Sequence, residues 1–218
     1  MKKIVKNILM FIIYLAFDSS IIGLFYVYGV NYSSLPLIKK IYVAFVSNIL
    51  LMLLVFLVYR HEIIEDFKDF KKNHCLSKYV WIYLIGVLLM GFSNVIIQKM
   101  TNIEVGGNEE TIRLLIKEVP LYILFSSVLF APFVEEMIFR KCVRNIFHNK
   151  YLFILISGFA FGILHISDFK SIGQVLMGIP YIIMGIDFAY IYYKTDNIFT
   201  TMIFHLCHNL LLFIIQFL

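Results

Sequence analysis

Ala131-Pro132-Phe133-Val134-Glu135-Glu136-Met137-Ile138-Phe139-Arg140 sets two adjacent carboxylates and an arginine inside a run otherwise apolar enough for a bilayer. An ionised side chain at mid-membrane costs roughly 2.5–3.5 kcal/mol on insertion scales, so charge in such a run marks a functional site and calls for partners. The composition around it says which solvent the run meets. The chain has 218 residues, 61% hydrophobic and 15% charged, with mean hydropathy +0.87. Soluble domains carry about a quarter charged residues. Here apolar stretches of about 18 or more recur along the whole length. The chain reads as all-α, a polytopic transmembrane helix bundle forming a single membrane domain over residues 1–218.

About seven spans are expected. They run from about Ile8 to Val30, Ile41 to Tyr59, Tyr79 to Gln98, Val119 through the Glu pair, Tyr151 to Ile166, Ser171 to Tyr193, and Ile198 to the C-terminus. Gly178-Ile179-Pro180 is placed to break the sixth. With the N-terminus inside, thirteen of the 19 Lys and Arg fall on inner connections and six on outer ones, which favours N-inside and C-outside. Lys2, Lys3 and Lys6 resemble a signal-peptide start, but no small-x-small cleavage site follows before Val30, so an uncleaved first span is expected. The stretch from Arg60 to Lys78 mixes charges with Ile63, Ile64, Phe67 and Phe70 and reads as an amphipathic connector on the membrane surface. Its His61-Glu62-Ile63-Ile64-Glu65 ends in Glu where a zincin helix needs a second His.

The net charge of +5 comes from Lys and Arg set between apolar runs, where they orient the chain, so no nucleic-acid partner is expected. Cys75, Cys142 and Cys207 show no paired or CxxC spacing, which argues against a disulfide framework or a structural zinc site. Cys207 reads as a small buried hydrophobe.

In the fourth span Glu136 and Arg140 share a helix face while Glu135 points about 100° away. One carboxylate is then tied to the arginine, which offsets its burial, and the other is free for chemistry. The bland alternative for Glu136 and Arg140 is an ion pair that only locks two helices. In the fifth span His165 is the sole ionisable residue before Asp168. If the chain turns at His148-Asn149-Lys150, Glu135 and His165 each lie roughly 22 Å from that turn, and antiparallel packing puts them at one level. In the seventh span His205 and Asn209 stack on one face, with His208 as a neighbouring polar helper. A Glu and a His in a dry site deprotonate water. A second His and an Asn donate to the oxyanion formed when that water attacks an amide. These parts suffice for peptide hydrolysis.

Glu135-Glu136-x-x-x-Arg140, Phe161-x-x-x-His165 and His205-x-x-x-Asn209, in that order over residues 119–212, resemble the three motifs of the CPBP family. These are the CAAX-protease and bacteriocin-processing intramembrane proteases, also called the abortive-infection family and related to the prenyl-protein endopeptidase Rce1. The resemblance implies that Glu135 and His165 activate water, that His205 and Asn209 stabilise the oxyanion, and that Glu136 and Arg140 support the site. It implies a cell-membrane, multi-pass protein, here of a bacterial plasma membrane, whose substrate is a membrane-associated peptide or a lipidated protein. The family's older metalloprotease label would give zinc to Glu135, His165 and His205. Without an HExxH helix, the metal-free glutamate mechanism is preferred, with no cofactor.

Two other classes compete. An ion-coupled transporter also keeps Glu, Arg and His at mid-membrane, but the chain is small and shows no inverted repeats. A non-catalytic immunity or scaffold factor would not need intact motifs. Asp18 and Asp187 fall outside the motifs. Met184-Gly185-Ile186-Asp187 departs from the Gly-x-Gly-Asp of aspartyl intramembrane proteases, and Asp187 is a secondary candidate for substrate or proton access. Gly91-Phe92-Ser93 echoes a rhomboid Gly-x-Ser and reads better as packing through small residues.

Overall fold

A computed structural model describes residues 2–73 and 76–218; Cys75 lies outside the described residues. In chain order the helices are α1 (Lys2–Val27), α2 (Leu37–Asn73), α3 (Leu76–Thr101), α4 (Gly107–Glu118), α5 (Pro120–Ile146), α6 (Lys150–Ile163), α7 (Ile172–Leu176), α8 (Ile179–Thr195) and α9 (Ile198–Ile215). Among the described residues there is no strand. Six segments are long and apolar enough to cross a membrane: α1, α2, α3, α5, α7 with α8, and α9. The segment expected as the fifth of seven spans is α6, with only 14 residues. A full crossing takes about 20. The expected break in the sixth falls at Met177–Gly178, with Pro180 early in α8, where a missing N–H costs little.

The helix α5 runs through the middle of the bundle. Its Met137, Ile138, Phe139, Arg140 and Glu136 are all fully buried, packed against residues of α1, α2, α6, α8 and α9. Two close helix contacts fix the register around it. A Cβ on Gly158 of α6 would run into Ile186, one on Gly162 into Ile182, and one on Gly185 of α8 into the Gly158 carbonyl. Small residues four apart thus bring α6 and α8 nearly backbone to backbone. On the opposite flank, Gly86 of α3 makes room for Asp187 of α8. Gly91, expected to serve packing, has open space around it, because the α3 face that meets α8 is the one carrying Gly86.

The stretch expected as a surface connector is a continuation of α2, which stays helical to Asn73. Its acidic side grips the end of the bundle. Lys6 bridges Glu62 at 2.7 Å, Lys141 bridges Asp66 at 2.6 Å, and Asn197 Nδ2 donates to the Asp66 carbonyl at 2.7 Å. Phe67 and Phe70 pack on Phe199, so the apolar stripe read as lipid-facing is partly spent on the protein itself. Cys142 is buried beside Tyr59, whereas Cys207, expected to be buried, sits exposed on the outer face of α9.

Candidate active site

Two turns of α5, Leu124–Phe130 and Glu136–Cys142, are π-helical. Such widened turns concentrate at functional sites. The first has a chemical reason visible in the sequence. The Ala131 N–H bonds the Ser126 carbonyl, five residues back, so the next residue able to serve Ser127 is Pro132, which has no N–H. The Ser127 carbonyl is left for Asn209, whose Nδ2 donates to it at 2.7 Å. That bond fixes the Asn209 amide and leaves its second N–H and its Oδ1 for other partners.

In the second π turn Glu136 is bracketed. Arg140 Nε donates to Oε2 at 3.0 Å and His205 Nδ1 to Oε1 at 2.9 Å, with all three side chains at or near full burial. Arg140 Nη1 donates to Ser157 Oγ at 2.9 Å, and Ser157 in turn donates to the Phe139 carbonyl at 2.7 Å. The guanidinium lies over Phe161 at 5.0 Å and Phe188 at 5.8 Å. A carboxylate only accepts, so His205 Nδ1 carries a proton and Nε2 is its outward atom. That Nε2 stands 3.9 Å from Glu135 Oε2.

His165 lies past the end of α6, in the turn after Ile163, so the expected span to Ile166 is three residues too long. The turn holds it firmly. Nδ1 donates to the Phe161 carbonyl at 2.8 Å, and the ring stacks on Tyr181 with centroids 4.4 Å apart and planes 17° apart. The Nε2 lone pair is left free as an acceptor.

Glu135, His165, His205 and Asn209 line one cavity of about 370 Å³, while Glu136 and Arg140 stand behind its wall. The walls are largely apolar, with Met90, Ile123, Phe130, Met184 and Phe213 among them. His208 also lines it, its Nδ1 held by the Tyr83 hydroxyl at 3.2 Å. Residues 99–118, expected as a connection between spans, hold α4, which covers part of the cavity with Asn108, Glu109, Ile112, Arg113 and Ile116. The available signal was the Ile112–Ile116 spacing behind the acidic first turn of Glu109 and Glu110. Tyr83 and Tyr181 were also missed, since an isolated Tyr in an apolar run carries no mark of its partner. Among the described residues no three His, Cys, Asp or Glu side chains gather as a metal-holding group, the set Glu135, His165 and His205 included.

Comparison with known proteins gives one family model and two relatives. The model for type II CAAX prenyl endopeptidases of the Rce1-like kind matches residues 117–211. YdiL of Bacillus subtilis, a candidate membrane peptidase by name, is 29% identical over 178 residues, 78% of this chain and 70% of the relative. The membrane-embedded CAAX protease MroQ of Staphylococcus aureus is 30% identical over 155 residues, 62% of this chain and 60% of the relative, so the match spans less than two thirds of that protein. No solved structure matches.

Proposed function

Since its residues 117–211 make the chain a member of the Rce1-like family of membrane peptidases, we propose that it is an intramembrane endopeptidase of the glutamate type. One observation carries this reading: Glu135, His165, His205 and Asn209 line a single apolar-walled cavity, with each histidine's Nδ1 already engaged and its Nε2 left over. A water between Glu135 and His165 loses a proton to one of them as its oxygen attacks the substrate carbonyl. His205 Nε2–H and the second Asn209 N–H take the developing oxyanion. Collapse of that intermediate breaks the C–N bond, and the proton held by the base passes to the leaving amine. Glu136 fixes the imidazole and balances its charge, while Arg140 balances Glu136. In this reading no metal takes part.

The substrate is a membrane-associated peptide or protein: a bacteriocin or signal-peptide precursor, or a CAAX-like chain such as the name of MroQ mentions. The test uses purified protein in micelles with peptides of both kinds. Glu135→Gln and His165→Ala each lower kcat by about 10²–10⁴, and a chelator leaves the rate unchanged. Cleavage that survives either substitution removes that residue from the mechanism. Chelator-sensitive cleavage restored by zinc replaces the glutamate reading by the metal one.

A further inference from the structure

Among the described residues, two buried side-chain atoms have no hydrogen-bond partner: Arg140 Nη2 and Asp187 Oδ2. They belong to opposite charges. Arg140 uses Nε on Glu136 and Nη1 on Ser157, so two of its three nitrogens are fixed and the third is aimed elsewhere. Its guanidinium lies over the ring of Phe188, the residue next to Asp187 in α8. Arg140 is also the charge that acts on Asp187. The carboxylate is pressed into this place from behind, since Gly86 is where any side chain on α3 would collide with it. One water within reach of both would satisfy the two orphaned atoms at little cost.

We propose that Asp187 is a second counter-ion of Arg140, joined to it through one buried water between Oδ2 and Nη2, and a positioning residue for the Glu136–His205 pair. The chain of contacts then runs from Asp187 through the water to Arg140, from Arg140 Nε to Glu136, and from Glu136 to His205 Nδ1. A fixed guanidinium holds the Glu136 carboxylate at one angle, and that angle aims His205 Nε2 into the cavity. Asp187 itself touches neither the cavity nor a substrate. The inference concerns the site read above as catalytic, but it stands on side-chain packing and is tested without cleavage.

The experiment compares Asp187→Asn, Asp187→Leu, Arg140→Lys and the Asp187→Leu/Arg140→Lys double variant in micelles. The readouts are thermal unfolding and the side-chain signals of ¹⁵N-labelled histidine, with His205 assigned through His205→Gln. Asp187→Leu lowers Tm by roughly 3–10 °C. In the Arg140→Lys background, where Nη2 no longer exists, it lowers Tm little further. The His205 signals move in Asp187→Asn while those of exposed His61 and His148 stay, a change that mere loss of packing does not produce. Additive Tm losses overturn the proposal, as do unmoved His205 signals in a folded Asp187→Asn. Glu135→Gln in place of Asp187→Leu is the remaining comparison: if it couples to Arg140→Lys and Asp187→Leu does not, Nη2 belongs to Glu135. Should Arg140→Lys fail to fold, the Asp187→Asn spectrum decides alone.

Discussion

Replacing Arg140 by Met asks how much the site's hidden layer contributes to the fold. The guanidinium donates to Glu136 and Ser157 and lies over two aromatic rings, at zero exposure. Met roughly preserves the buried volume, so the loss is electrostatic: Glu136, itself fully buried, loses its cation and keeps the hydrogen bonds of His205 and Thr201. Breaking a buried pair by removing one partner costs about 3–5 kcal/mol. For a chain of this length that corresponds to a Tm drop on the order of 10 °C. The companion variant Glu136→Met/Arg140→Met removes both charges together, which is often near neutral, and leaves the His205 Nδ1–H without its acceptor, at about 1–3 kcal/mol, while the Thr201 hydroxyl still has the Ile198 carbonyl. The double variant therefore melts above the single one. It still fails to cleave, because nothing aims His205. Thermal unfolding in micelles followed by far-ultraviolet circular dichroism is the assay. Trp81, exposed on α3, would report poorly on this interior. An Arg140→Met protein that melts within about 2 °C of wild type refutes the argument, as does a double variant less stable than the single.

Other outcomes follow from particular contacts. Gly162→Val drives a branched side chain into Ile182 and costs about 1–3 kcal/mol in thermal unfolding, whereas Gly91→Ala, with open space around it, raises stability by about 0.4–1 kcal/mol. Asn209→Ala removes the oxyanion donor proposed above and the partner of the Ser127 carbonyl, so kcat on a cleaved peptide falls about 10²–10³. Tyr83→Phe takes one hydrogen bond from His208 and costs about 0.5–1.5 kcal/mol, with cleavage falling less than tenfold. A loss beyond that of His165→Ala would move the leading role to His208.

The membrane character and the grouping of the polar side chains were readable because a charge in an apolar run stands out against its background. Glu135, His165, His205 and Asn209 were found that way, and all four line one cavity. Pro132 was in view too, but its effect on the Ser127 carbonyl depends on a π turn, and no propensity distinguishes a π turn from an α turn. The helix α4 was passed over because twelve residues with two apolar anchors look like a polar connection until the cavity they cover is known. Asp187 was visible as an oddity and expected to serve substrate or proton access, yet it is not among the residues lining the cavity; its place against Gly86 depends on the register of α3 against α8. The short α6 escaped for a related reason: Leu164 and Ile166 are as apolar as the helix before them, and only the backbone shows where the turn begins.

That shortness bears on how a buried site obtains its co-substrate. A helix of 14 residues rises about 21 Å, against a hydrocarbon core of about 30 Å. The missing length is taken up by the turn that carries His165, Ser167, Asp168 and Lys170, an irregular backbone whose polar groups need solvent or protein around them. If α6 crosses by itself, the aqueous boundary has to dip inward at this flank or the bilayer has to thin to meet it. A boundary drawn in this way leaves water only a short path to His165, which the turn after Ile163 carries.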